Sequence, residues 1–246
     1  MKGKTGSRRS RFPARFRFCV SVFGLTLNEL ENKARIARLS RPDLIELRMD
    51  YLHNIGGLDF SKARKLLHGN EILTLRSRSE GGKFKGSESE RVKLFKEAIL
   101  PLSPKYVDIE AATLQRYPEI LDGVRRGTRL IFSIHDLKGS RSFSELRKMI
   151  EKIPMKDRRI FAVKIVRKAM SFDDNFRILE LYNSPKIKTN LIAFCTGPLG
   201  VFSRVMCLFM GSPYTYASLP NEPLASGQMD IETMREAVQL ARKGIG

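Results

Sequence analysis

The chain is predicted to fold as an α/β protein, a single (β/α)₈ TIM barrel, and three observations predict it. Eight short runs of strand character alternate with helical stretches. A length of 246 residues suits one such barrel and shows no seam for a second domain. The charged residues inside the runs fall on one face of each strand, as a polar barrel axis requires.

In chain order, the strand 18–22 (Phe18–Val22) is followed by a helix over 26–39. Leu44–Arg48 comes next. Ile45, Leu47 and Met49 are apolar there, so Glu46 and Arg48 share the axial face, and a helix over 60–68 follows. The third strand, Ile72–Arg76, sets Thr74 and Arg76 against outward Leu73 and Leu75. The helix after it, 87–99, opens on Ser87 with Glu90 three residues on, a capping-box pattern. In Tyr106–Glu110, Val107 and Ile109 face out and Asp108 and Glu110 face in, before a helix over 113–126. Arg129–Ile134 turns Leu130, Phe132 and Ile134 outward and Ser133 and the following His135 inward. Its helix, 142–152, again begins with a capping pair, Ser142 and Glu145. The sixth strand, Ile160–Ile165, places Phe161, Val163 and Ile165 outward and Ala162 and Lys164 inward, and 171–183 is its helix. Asn190–Cys195 with a helix over 200–210, then Tyr214–Ala217 with a helix over 230–243, complete the count.

Charge thus gathers on the axis near the C-terminal ends of the strands, where barrel enzymes work. Unpaired buried charges cost several kcal/mol each, so this many on one face implies a paired, ligand-binding cluster. A lysine on the axis is costly unless it is neutral or paired. Lys164 is therefore either a nucleophile toward carbonyls, a Schiff-base former, or the partner of Glu46, Asp108 or Glu110. His135 ends a strand on the axis and is either a proton carrier or a hydrogen-bonded core histidine; His53 and His68 receive no role. The turn Gly197-Pro198-Leu199-Gly200 precedes a helix and offers an anion-binding N-terminus.

These residues resemble the type I 3-dehydroquinate dehydratases, from about Cys19 to the end of the chain. The resemblance runs through Cys19-Val20-Ser21-Val22, Ile45-Glu46-Leu47-Arg48-Met49-Asp50, and Leu75-Arg76-Ser77 with Glu80-Gly81-Gly82. It continues through Ser133-Ile134-His135-Asp136, Val163-Lys164-Ile165, Gly200 with Ser203-Arg204, and Gly227-Gln228. The resemblance implies a lyase of the shikimate pathway that dehydrates 3-dehydroquinate to 3-dehydroshikimate without metal or organic cofactor. It implies that Lys164 forms the Schiff base, that His135 moves the proton and that Glu80 orients His135. Arg204 would hold the substrate carboxylate, with Ser21, Glu46, Arg48, Arg76 and Gln228 sharing the remaining contacts. One stretch departs from the family pattern. The last loop reads Pro223-Leu224-Ala225-Ser226-Gly227-Gln228, where a Ser or Thr usually stands at the Leu224 position, and Ser226 is the candidate replacement for that hydroxyl.

Composition narrows the alternatives. Hydrophobic residues at 42% suffice for a large core, and apolar runs such as 130–134 and 191–195 are too short to span a bilayer, so a cytoplasmic enzyme with no membrane partner is expected. Cys19, Cys195 and Cys207 lack metal-ligand spacing and read as buried free thiols. The formal charge of +19 is partly local. Residues 1–17 hold seven of the 45 Lys and Arg and none of the 26 acids, and the remainder still carries +12, read as spread over the helices. Residues 1–17 are expected to be a disordered basic tail and 18–246 the catalytic barrel, with no specific nucleic-acid partner and a homodimer left open. The competing readings are a class I aldolase-type Schiff-base barrel and a non-catalytic barrel that binds nucleic acid through its basic surface.

Overall fold

The computed structural model describes residues 15–245 apart from 152, 154–156 and 186. Eight parallel strands form one sheet: β1 (Phe18–Phe23), β2 (Leu44–Arg48), β3 (Glu71–Thr74), β4 (Tyr106–Glu110), β5 (Arg129–Asp136), β6 (Ile160–Lys168), β7 (Asn190–Thr196) and β8 (Thr215–Ala217). Their order, β7-β6-β5-β4-β3-β2-β1-β8, is that of a barrel opened at one seam. At the seam, side-chain and turn contacts stand in for a ladder. Thr196 Oγ1 and the Gly197 N–H both donate to the Ser226 carbonyl at 2.8 Å, and the Phe194 and Tyr216 rings lie 6.1 Å apart.

Among the described residues, seven α-helices cover the outside: α1 (Leu27–Leu39), α2 (Glu88–Leu94), α3 (Ala111–Arg116), α4 (Phe143–Glu151), α5 (Asp174–Leu179), α6 (Val201–Met206) and α7 (Ile231–Ile245). The eighth expected helix, after β2, is a run of 3₁₀ turns over Phe60–Leu66. Several helices are shorter than the pattern predicts and continue as 3₁₀ or π turns, with Pro101 and Pro118 each opening such a continuation. The capping pairs at Ser87/Glu90 and Ser142/Glu145 both form. In α1, Leu30, Ala34 and Ala37 are the buried stripe, and in α7 Ile231, Met234 and Val238 are.

Three expectations need correction. The third strand pairs only through Thr74, so Arg76 lies just past the ladder. Phe161 does not face outward: the β5–β6 register jumps from Leu130↔Ile160 to Ile131↔Ala162, which leaves Phe161 as an extra residue in a bulge. Its ring lies 5.1 Å from that of Tyr106 and 6.3 Å from that of Tyr214, plugging the axis at the end where the strands begin. The positive charge is not confined to the helices either. Exposed Arg41, Lys105, Arg125, Arg126, Arg129 and Arg158 occupy the stretches that feed the strands, at that same end.

Residues 15–17, just before β1, pack on the body of the barrel. Phe16 is buried against Phe209, and Arg15 and Arg17 pair with Asp43. The rest of the expected tail, residues 1–14, lies outside the described residues. All three cysteines are free and buried.

Candidate active site

Parallel pairing puts the C-terminal end of every strand at one mouth, and register aligns the polar residues there, Ser21 beside Glu46 and Ser133 beside Lys164. The nine residues given catalytic or binding roles, Ser21, Glu46, Arg48, Arg76, Glu80, His135, Lys164, Arg204 and Gln228, all line one cavity at this mouth.

Lys164 is buried at 3% exposure, with Nζ 2.5 Å from Asp108 Oδ2 and 3.6 Å from Glu46 Oε1. Its amine also donates to the Tyr216 hydroxyl at 3.3 Å and lies 4.7 Å from the centre of that ring. The paired reading of Lys164 is thus correct for the resting site, and pairing leaves the amine at the cavity wall. Glu46 in turn accepts from Ser21 Oγ at 2.7 Å and Thr74 Oγ1 at 3.0 Å. Asp108 Oδ1 accepts from Ser133 Oγ at 2.5 Å and from Arg76 Nη2 at 2.7 Å. Burial alone would raise the Asp108 carboxyl, but Arg76 and Lys164 overcome it and hold the group well below the usual carboxylate range.

His135 is tied to Glu80 twice: its backbone N–H donates to Glu80 Oε2 at 2.9 Å, and Nδ1 lies 2.8 Å from the same oxygen. An oxygen that already accepts one N–H is best satisfied by a second donor, so Nδ1 carries the hydrogen and Nε2 is left with its lone pair. Burial, then the charges of Arg76 and Lys164, push the imidazole well below its ordinary value, so it stays neutral. Glu80 returns to the mouth because the Ser77–Gly82 turn doubles back, Gly82 N–H bonding the Ser77 carbonyl at 2.8 Å. A Cβ at Gly82 would sit 1.9 Å from the Arg76 carbonyl oxygen, which is why the turn needs glycine there. Burial, with Glu110 adding to it and Arg76 opposing, pushes the Glu80 carboxyl up to about 8.

Arg204, on α6, is 2% exposed, and its guanidinium stacks 4.5 Å from the centre of the Phe194 ring. Its Nε and Nη2 have no hydrogen-bond partner, and no carboxylate of the described residues pairs with it. Burial lowers its pKa to about 10. An isolated buried cation is expensive, and an anion in the cavity would offset that cost.

The other candidates arrive already engaged. Arg48 forks onto Asp50 at 2.8 and 2.9 Å. Arg76 pairs with Asp108, with Glu110 at 3.2 Å and with Glu80 at 3.9 Å. Gln228 Oε1 accepts the N–H groups of Leu224 and Ala225, and its Nε2 donates to the Ala217 carbonyl. Leu224 lines the cavity as an apolar wall, while Ser226 is exposed and is not among the lining residues. Nor do Gly197 and Gly200 line it; their N–H groups bond the Ser226 and Gly197 carbonyls instead. Sequence reasoning missed Tyr216, Phe194, Thr196, Leu137 and Val166 as cavity walls. Parity applied to β8 would have put Tyr214 and Tyr216 on the axis. Among the described residues, no three His, Cys, Asp or Glu side chains are grouped to hold a metal ion.

A family model described as type I 3-dehydroquinase matches residues 18–244. A 3-dehydroquinate dehydratase of Thermococcus onnurineus is 32% identical over 224 residues, covering 91% of this chain and 99% of the relative. That of Thermococcus gammatolerans is 35% identical over 209 residues, covering 85% and 92%. Among solved structures, the type I 3-dehydroquinate dehydratase of Clostridium difficile superimposes with a TM-score of 0.80 at 21% identity, covering 94% of each chain. The Geobacillus kaustophilus 3-dehydroquinate dehydratase gives 0.79 at 23% identity, covering 94% of this chain and 92% of its own.

Proposed function

The chain belongs to the type I 3-dehydroquinase family, and from that premise we propose that its barrel mouth dehydrates 3-dehydroquinate to 3-dehydroshikimate through an imine on Lys164, with His135 carrying the proton. The observation that supports this most is that Lys164, neutral His135 and unpaired Arg204 line one cavity. Arg204 takes the substrate carboxylate as a bidentate, desolvated pair. Ser21 and Glu46 face the ring hydroxyls, whereas Arg48, Arg76 and Gln228, being engaged, mainly hold the walls in place.

Condensing the Lys164 ammonium with the ring ketone gives an iminium and one water, with no change in net charge. Asp108 and Glu46, which balance the ammonium at rest, therefore balance the iminium too. The iminium draws electrons from the neighbouring C–H, and His135 Nε2 removes that proton to give a neutral enamine. The enamine expels the β-hydroxyl, which leaves as water with the proton returned by His135. Water then hydrolyses the conjugated iminium, releasing the enone and the lysine. Glu80 holds the imidazole by Nδ1 throughout; as the ring charges, the carboxyl gives its proton to solvent at the open mouth and takes one back when the ring surrenders its own. The reaction is a step of the shikimate pathway. No described helix is long and apolar enough to cross a membrane, and we place the enzyme in the cytoplasm.

Borohydride tests the imine, because it reduces an iminium to a stable amine. With 3-dehydroquinate present, the wild-type chain should lose activity and gain the adduct mass on the Lys164 peptide, and Lys164→Ala should do neither. His135→Ala should still be trapped, while its turnover falls by ~10² to 10⁴, the range for a positioned acid–base group. Product formation without any adduct, or an adduct on another lysine, would end the proposal.

A further inference from the structure

Making the imine requires two protons to travel from the lysine nitrogen to the departing oxygen, and the groups that flank Nζ limit how they travel. The hydrogen-bond and ion-pair partners of Nζ are Asp108, Glu46 and the Tyr216 hydroxyl. Of these only a hydroxyl accepts and donates at once. The Asp108 carboxyl is held strongly ionised by Arg76 and Lys164, so it is a good counter-ion and a poor proton carrier. His135 Nδ1 is committed to Glu80, and its free Nε2 makes no hydrogen bond with Nζ at rest. Tyr216 lies on β8 with its ring against the lysine, 3.3 Å from Nζ, and its oxygen is 3.4 Å from that of Tyr214.

We propose that the Tyr216 hydroxyl is a catalytic proton relay between the Lys164 nitrogen and the substrate oxygen, in both formation and hydrolysis of the imine. The proposal rests on the Schiff-base reading above. One ammonium proton first passes to Glu46, and the free amine adds to the ketone: the N–C bond forms and the carbonyl π pair moves to oxygen. The adduct is a zwitterion, N⁺H₂–C–O⁻. Tyr216 takes a proton from nitrogen as it gives its own to oxygen, through a six-membered ring of N, H, Oη, H, O and C. The product is a neutral carbinolamine and an unchanged tyrosine. The nitrogen lone pair then expels the hydroxyl, which collects the proton lent to Glu46 and leaves as water. Direct N-to-O transfer would need a strained four-membered ring. Burial pushes the Tyr216 phenol well above its ordinary value, so a lasting phenolate is disfavoured; a concerted exchange that never forms one suits this site.

Tyr216→Phe keeps the ring and its contact with the amine and removes only the hydroxyl. With 3-dehydroquinate, rapid mixing followed by borohydride should give the same final adduct on Lys164 in variant and wild type, but formed roughly tenfold or more slowly in the variant. Adduct formation at the wild-type rate would overturn the relay while leaving the imine intact. Absence of adduct in wild type would instead remove the Schiff-base reading and the relay with it. A second measurement uses the wild-type chain alone, in case the variant folds poorly. The rate of adduct formation in mixtures of light and heavy water should curve downward, because two protons move together. A straight dependence would overturn the relay.

Discussion

Glu80 is stabilised by burial only as the neutral acid. Its carboxyl moves from the ordinary 4.5 to about 8, chiefly through burial, so between those values the folded chain holds a proton that the unfolded chain has released. The associated stability is complete below about 4.5 and is lost as pH rises through about 8. Glu80→Gln preserves shape and acceptor while removing the ionisation. Its stability relative to wild type should therefore climb across that window, by up to ~1.4 kcal/mol per pH unit, while turnover falls because an amide cannot ionise beside the imidazolium. Urea unfolding of both chains near pH 5 and pH 8.5 checks this, and parallel pH slopes would refute it. His135 has the opposite dependence. Its lowered pKa makes its contribution to stability fade as pH drops below the ordinary histidine value, and it keeps the base competent there. Lys164, Glu46 and His135 were legible in sequence because a charged group at an axial strand position must be explained. Tyr216 was open to the same alternation but carries no charge to draw attention, so as a strand tyrosine it passed for ordinary core. The unpaired state of Arg204 depends on which carboxylates fail to reach it, and no local pattern encodes that.

At the level of elements, alternation located the axial faces of β2, β4 and β5 because the β1–β2 and β4–β5 ladders pair without interruption. It failed for one residue, Phe161, where the β6 bulge shifts the frame, and was right again from Ala162 onward. Helix lengths were overestimated because apolar periodicity continues into 3₁₀ turns, whose side chains still point at the sheet. The last loop shows how much backbone the site depends on. Gly227 has φ +72°, and a Cβ there would lie 2.2 Å from the Gly197 carbonyl oxygen, across the β7–β8 seam. Gly227→Ala should cost on the order of 1 to 3 kcal/mol. By displacing Leu224 and Gln228 from the cavity wall, it should also raise KM several-fold. Thermal unfolding and saturation kinetics measure the two effects, and a stable variant with unchanged KM would show that the loop does not shape the site.

Over the whole molecule, the chemistry occupies one end of the barrel while exposed cations occur at both. Arg78, Lys138 and Arg141 follow strands at the mouth, and Arg41, Arg125, Arg126, Arg129 and Arg158 precede strands at the other end. Removing residues 1–14 should leave kcat/KM within about twofold, because Phe16 and the cavity residues are all retained. Retention on a polyanion column should persist with a shallower dependence on salt, because fewer cations displace counterions; a truncated chain that folds but loses turnover would contradict this. The other end of the axis matters in a different way. Tyr106, Phe161 and Tyr214 stopper it, so the barrel has one doorway. Whatever enters at the mouth must back out through it, and a departing enone and an arriving ketone can never share the passage. Product should therefore inhibit purely competitively, with lines of reciprocal rate against reciprocal substrate meeting on the rate axis at every product concentration.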